Sequence, residues 1–246
     1  MSIPKIIHYC WFGGGAISPE NRKCMESWKK YCPDYKIIER NDQNFDISTN
    51  RYAQQAYEAK KYAFVSDYVR LAVLYEYGGI YLDTDVELVR PLDELLELPG
   101  FMGFQTNNEV ATGLGFGARK GNSVVQALLR DYDALDFLKA DGSADLTPCP
   151  ERNTRVLQAL GVRKDGTRQS IAEMEIFPAE YFCPMDFYSR ELRVTPKTYS
   201  IHRYAESWKP KPSAVSRILQ RLLKKHYYTW YCPLRGRIEG RLRKRT

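Results

Sequence analysis

The chain has 246 residues with 43% hydrophobic and 27% charged residues, which excludes a disordered polymer and is ample for one large core. Its net charge of +7 is concentrated at one end: from Lys209 onward twelve basic residues face one acid, Glu239, while the rest carries 25 basic against 29 acidic residues. The sequence therefore describes a mildly acidic body of one α/β domain, 1–210, and a basic extension, 211–246, and no uncharged run approaches the ~18 residues of a membrane span. The start, MSIPKIIHYCWFGG, lacks a basic leader followed by a long apolar run. The six cysteines form no CxxC pair, so the expectation is free thiols in a reducing, cytoplasmic setting.

In chain order, Lys5–Trp11 reads as a strand ending at Gly13-Gly14-Gly15. Pro19 opens a helix to about Tyr31, Pro33-Asp34 turns the chain, and Tyr35–Glu39 is a second strand. This order opens a nucleotide-binding α/β layer. Arg51–Tyr77 is predicted helical with a break near Tyr62. Phe64, Tyr68, Leu71, Ala72 and Tyr75 form one apolar stripe and Val65, Val69 and Val73 a second, so the helix is expected to be buried on most sides. Gly78-Gly79 end it. Ile80–Leu82 then reads as a central strand and Val86–Val89 as a short extended piece. Phe101–Gln105, Leu114–Ala118, Glu175–Phe177 and Tyr199–Arg203 are predicted strands, and Asn122–Leu135 and Arg152–Leu160 predicted helices. Pro210-Lys211-Pro212 marks the domain edge. Val215–His226 is predicted to be a basic amphipathic helix, followed by the aromatic cluster Tyr227, Tyr228, Trp230 and Tyr231.

The strand Ile80–Leu82 delivers two carboxylates, Asp83 and Asp85, with Thr84 between them. Ligands of open α/β sheets bind at strand carboxyl ends, and carboxylates spaced i, i+2 can reach one hard cation. The alternative is an Asp-x-Asp turn cap. An EF-hand loop starting at Asp83 fails because its sixth position is Leu88 rather than glycine. A phosphohydrolase of the haloacid-dehalogenase type also places Asp-x-Asp after a strand and stays as a competing reading, as does a non-catalytic sugar- or membrane-binding protein.

The run AFVSDYVRLAVLYEYGGIYLDTDVELVRPLD (Ala63–Asp93) resembles the signature of the DXD-containing glycosyltransferases of family 32, which include capsular and lipopolysaccharide sugar transferases. It is also similar to the catalytic core of the clostridial glucosylating toxins. IPKIIHYCWFGG (Ile3–Gly14) and YSIHRYAESW (Tyr199–Trp208) fit the same family in the same order. The resemblance implies a GT-A fold, Rossmann-like and single-domain. It also implies a nucleotide-sugar donor, Mn²⁺ or Mg²⁺, and retention of anomeric configuration. It implies that Asp85 holds the metal, that Asp83 contacts ribose or metal, and that Asp67 and Arg70 hold donor-sugar hydroxyls. His8 and Trp11 would sit near the base. His202 would be a further metal or diphosphate contact, and Ser207 and Trp208 would close over the phosphates, although their adjacency departs from the toxin pattern.

For the residues themselves, Asp67 and Arg70 share a helix face at i, i+3, with a buried ion pair as the alternative. Trp11 could equally be a core tryptophan, and His202 a structural histidine. Gln105–Gly117, with Asn107 and Asn108, is the expected acceptor lining, an ordinary surface loop being the alternative. The acceptor would be a glycan or lipid-linked hydroxyl in bacterial surface polysaccharide synthesis. The basic extension is expected to meet anionic membrane on the inner face of the cell membrane rather than nucleic acid.

Overall fold

The computed structural model describes residues 2–187 and 189–205; the expected basic helix and aromatic cluster, with Ser207 and Trp208, lie outside them. Eight strands form one mixed sheet: β1 (Ile6–Cys10), β2 (Lys36–Arg40), β3 (Gly79–Tyr81), β5 (Gly100–Phe104), β6 (Val110–Ala111), β7 (Phe116–Ala118), β8 (Gln169–Ile171) and β9 (Met174–Phe177). Their order is β2-β1-β3-β7-β5-β9-β8, with β6 added to β5. β4 (Val86–Leu88) and β10 (Ser200–His202) make a separate antiparallel ribbon.

The β2-β1-β3 half is parallel, the Rossmann-like arrangement expected of the opening. β7 runs antiparallel to both β3 and β5, so β3 and β5 point the same way, and β9 runs parallel to β5. The carboxyl ends of β1, β2, β3, β5 and β9 thus share one sheet edge. Among the described residues six α-helices accompany the sheet: α1 (Pro19–Tyr31), α2 (Arg51–Glu58), α3 (Tyr62–Tyr77), α4 (Ser123–Asp133), α5 (Cys149–Ala159) and α6 (Ala179–Phe182).

Two apolar clusters sandwich the sheet, because strand side chains alternate between faces. Tyr81, Met102 and Ile176 point to the cluster built with α2–α5; Ile80, Leu82, Phe101 and Phe177 point to the one holding Trp28 of α1 and Phe182 of α6. The helix predicted over Arg51–Tyr77 is two, broken at Lys60, which has φ +56°. In α3 both apolar stripes are used: Phe64, Val65, Tyr68, Val69, Leu71, Val73 and Leu74 are all buried. Gly78, at φ +68°, stops it in a conformation that a side chain would strain. The extended pieces Val86–Val89 and Tyr199–Arg203, with no partner assigned from sequence, turn out to pair with each other. β6, β8 and α6 were not foreseen; each is four residues or fewer, too short to show a period.

Candidate active site at the Asp-Thr-Asp turn

β3 ends at Tyr81, and Leu82 carries the chain to a turn closed by Val86 N–H donating to the Asp83 carbonyl at 3.0 Å. Asp83 and Asp85 stand on this turn at the shared carboxyl edge. Asp83 is held from the sheet side: its N–H donates to the Gly113 carbonyl at 3.1 Å, and Oδ1 accepts from Tyr81 OH at 2.9 Å and Arg70 Nη2 at 3.1 Å. Gly113 approaches so closely that a Cβ there would collide with Asp83 Oδ2.

Asp85 is held by the chain after β10. Its carbonyl accepts from Arg203 N–H at 2.9 Å, Oδ2 accepts from Ala205 N–H at 2.8 Å, and Oδ1 lies 3.3 Å from His202 Nε2. Tyr204 between those amides has φ +52°, an uncommon conformation for a non-glycine residue, and its ring centroid lies 4.2 Å from that of His202. Burial pushes the Asp85 carboxyl up, but the His202 charge and hydrogen bond and the Ala205 N–H outweigh it and hold the group at about 2. For His202 burial acts downward, and the Asp85 charge with the hydrogen bond wins, raising it.

Asp83, Asp85 and His202 offer ligand atoms that all lie within 4.8 Å of one another. Two carboxylates and an imidazole, with the three side chains 28%, 13% and 17% exposed, fit a divalent cation reached from solvent. Thus the three residues expected to ligate a metal are brought together.

The Asp67–Arg70 pair joins the same cluster from α3. One guanidinium nitrogen, Arg70 Nη2, lies 3.1 Å from both Asp67 Oδ1 and Asp83 Oδ1. Arg70 Nε donates to the Ser66 carbonyl at 3.0 Å, and the guanidinium lies over the Tyr81 ring at 4.8 Å. Burial pushes Asp67 up to about 6; Arg70 acts against this and Asp83 with it. Of the wall behind the pair, Thr112 falls within the expected lining Gln105–Gly117, while Cys149 and Asn153 were missed. Thr112 Oγ1 lies 3.3 Å from Cys149 Sγ and accepts from Asn153 Nδ2 at 3.1 Å, and Arg70 Nη1 reaches Thr112 Oγ1 at 3.5 Å. Burial pushes the Cys149 thiol up to about 12, so it is a packed thiol rather than a nucleophile.

The other expected residues are placed unevenly. His8 is not brought to the cluster. It lies mid-strand with no exposed surface, Nε2 against the Gly78 carbonyl at 3.1 Å and Nδ1 accepting from Arg40 Nε at 3.3 Å. Burial, with Arg40 beside it, lowers its pKa to about 4, so the ring is neutral. The difference is one of position along the strand: His8 shares the α3 side with Cys10, which lies beside Arg70 and Tyr81, but it stands before the β1 end at Cys10. Trp11 does stand at the β1 end of the shared edge, partly buried, its indole N–H donating to the Gly15 carbonyl. Asn107 and Asn108 form the turn between β5 and β6 on that edge. Asn107 is tied to Glu109 by Nδ2–Oε2 at 3.0 Å, and Asn108 takes φ +61°.

A phosphohydrolase of the haloacid-dehalogenase type would need a later lysine and an acidic pair around the same site; among the described residues the cation paired with Asp83 is Arg70.

Comparison with known proteins fits this geometry. Residues 18–101 match the family described as glycosyltransferase sugar-binding region containing DXD motif, a span that takes in α1, α3 and the Asp-Thr-Asp turn. Over residues 18–101 the chain is similar to the sugar-binding region of the DXD glycosyltransferases. This is the family that Ala63–Asp93 resembles; the resembling segments Ile3–Gly14 and Tyr199–Trp208 lie outside the matched span. Inositol phosphoceramide mannosyltransferase 3 of Schizosaccharomyces pombe is 29% identical over 151 residues, covering 55% of this chain and 39% of the relative. Human alpha-1,4-N-acetylglucosaminyltransferase is 28% identical over 148 residues, covering 60% of this chain and 38% of the relative. The chain therefore spans about two fifths of the length of either. Among solved structures, the PaToxG glycosyltransferase is similar at a TM-score of 0.49 and 22% identity, over 64% of this chain and 70% of that one.

Proposed function

We propose that the protein is a metal-dependent GT-A glycosyltransferase. It moves a hexose or N-acetylhexosamine from a nucleoside diphosphate sugar, with a UDP-sugar favoured, to a hydroxyl of a glycan or lipid-linked acceptor. The observation that carries this is the meeting of Asp83, Asp85 and His202 within 4.8 Å at the strand edge, with the Asp67–Arg70 pair on the same Asp83 carboxylate.

Asp83 and Asp85, with His202, are the groups that would hold Mn²⁺ or Mg²⁺. When bound, the cation supplies Lewis-acid neutralisation of the charge that grows on a departing diphosphate. The chain's own residues do the rest. Asp67 and Arg70 offer an acceptor and a planar fork of donors to sugar hydroxyls. Tyr81 and Gly113 fix Asp83, and the Arg203–Ala205 segment fixes Asp85, so neither carboxylate has to reorganise when charge develops. Trp11 at the β1 end suits a base platform. The reaction is taken to retain configuration by displacement within an ion pair. A covalent route would need a carboxylate at the anomeric carbon; the ion-pair displacement follows the family resemblance.

A relative named for a phosphoceramide acceptor supports a lipid-linked acceptor, and the basic extension supports a peripheral position on the inner face of a bacterial cell membrane, in surface polysaccharide synthesis. Among the described residues no helix is long and apolar enough to cross a membrane.

The test is incubation with a panel of UDP- and GDP-sugars, with Mn²⁺ or with chelator. Slow, metal-dependent release of nucleoside diphosphate from one donor is expected. Phosphate release from phosphomonoesters without any donor hydrolysis would replace this reading with the phosphohydrolase one.

A further inference from the structure

We propose that Asn21, on α1, is a positioning residue for the Asp83–Asp85 pair, acting through the hydroxyl of Thr84. The inference rests on the metal reading of the site given above and adds to it the element that sets the turn from the side opposite the ligand.

Three side chains of helix α1 hydrogen-bond to the segment after β3. Trp28 Nε1 donates to the Val86 carbonyl at 2.7 Å, and Ser27 Oγ accepts from Leu88 N–H at 2.8 Å. These two bonds have an ordinary structural reason. β4 pairs with β10 on one edge only, and side chains of α1 satisfy backbone groups of Val86 and Leu88 that would otherwise be buried without partners. The third bond is different. Asn21 Nδ2 donates at 2.9 Å to Thr84 Oγ1, a side chain with no backbone group to satisfy, on the residue between the two aspartates.

Both groups are buried, Asn21 at 2% and Thr84 at 8% exposure. The Asn21 amide leaves Oδ1 buried without a partner. An amide that is buried and half satisfied is a poor choice for packing alone, where an apolar side chain would serve. What the amide does accomplish is to fix the Thr84 side chain, and with it the turn from Asp83 to Val86. Asp83 is anchored through Gly113, Tyr81 and Arg70, and Asp85 through Arg203 and Ala205, so Asn21 supplies the anchor for the residue between them. A turn held at all three residues keeps both carboxylates aimed at one point. A turn held at two can let them spread apart, and the price is affinity for a shared cation. Partners one step removed from ligands typically change metal affinity by about 10–100-fold.

The experiment uses the full chain and reads Mn²⁺ binding directly, from the electron paramagnetic resonance signal of free Mn²⁺, with and without UDP. Three variants are compared: Thr84→Val, which keeps shape and removes the hydroxyl; Thr84→Ser, which keeps the hydroxyl; and Asn21→Leu. Thr84→Val and Asn21→Leu are expected to weaken Mn²⁺ binding by about tenfold, with a modest fall in melting temperature from the buried group left unpaired and a chain that still folds because the Ser27 and Trp28 bonds persist. Thr84→Ser is expected to bind as wild type. Equal affinity of Thr84→Val and wild type, or equal loss in Thr84→Val and Thr84→Ser, overturns the proposal. Should Asn21→Leu fail to fold, the two Thr84 variants still decide it. Wild-type protein that takes up no Mn²⁺ even with UDP overturns the metal reading itself, an outcome distinct from wild-type binding that the variants share.

Discussion

Arg70 meets two carboxylates with one nitrogen while its other nitrogens reach Ser66 and Thr112, and lysine, with a single nitrogen, cannot copy the whole set. Arg70 Nη2 sits 3.1 Å from Asp67 and from Asp83, while the rest of the guanidinium bonds Ser66 and lies over Tyr81. Arg70→Lys keeps a charge but loses the fork. We expect a stability loss of about 1–3 kcal/mol from partners left short of donors, and a larger fractional fall in donor hydrolysis. Melting curves beside donor kinetics check this, and lowered stability with intact hydrolysis would leave the pair a structural one. Gly113 tests the same carboxylate from its other side. A methyl there would collide with Asp83 Oδ2, so Gly113→Ala should weaken nucleotide and metal binding by about tenfold or more while the turn around it folds; calorimetric titration with UDP and Mn²⁺ measures it, and unchanged affinity would mean that Asp83 Oδ2 is not used.

At the scale of elements, the ribbon of β4 and β10 joins Asp85 to His202, and its strength should depend on pH. His202 is raised above its ordinary value, so its contribution is full below about pH 6.5 and lost as pH rises through the folded value. Asp85 is lowered to about 2, so its contribution is present above the ordinary carboxylate value and lost as pH falls toward about 2. The two overlap between about pH 4 and about pH 6.5. In chelator, the stability difference between wild type and His202→Gln should therefore be larger at about pH 5.5 than at about pH 8.5. Equal differences at both would show that the ion pair contributes nothing. Much of this region was legible in the sequence. Two apolar stripes and a Gly-Gly stop gave α3 and β3, and the strand-end rule gave the site. Strand pairing was not legible: nothing local in Val86–Val89 names Tyr199–Arg203 as its partner across more than a hundred residues. His8 illustrates a different limit. Its place in the first strand was visible, but the groups that enclose it, Arg40 and the Gly78 carbonyl, are remote in sequence. Thr112 and Gly113 fell within the expected lining Gln105–Gly117, but their contacts to Arg70 and Asp83, like those of Asn21 and Cys149, are remote in sequence and carry no local signal.

For the whole molecule, the charge split between body and extension predicts two separable behaviours. The extension from Val215, with its apolar residues at helical spacing and its interleaved Arg217, Arg221, Lys224 and Lys225, should bind anionic lipid, at on the order of 1 kcal/mol per basic residue before screening. A chain cut after Pro212 should lose salt-sensitive sedimentation with anionic liposomes and keep donor hydrolysis. Liposome binding that survives the cut would remove the membrane role. The central claim, that one strand end gathers a cation for a nucleoside diphosphate, is tested most directly by the anomalous signal of Mn²⁺ in crystals grown with UDP. The account predicts one strong peak between the Asp83 and Asp85 carboxylates, shared with the diphosphate and absent in Asp85→Asn. Nucleotide bound with no peak at that turn, or a peak that persists in Asp85→Asn, would contradict it.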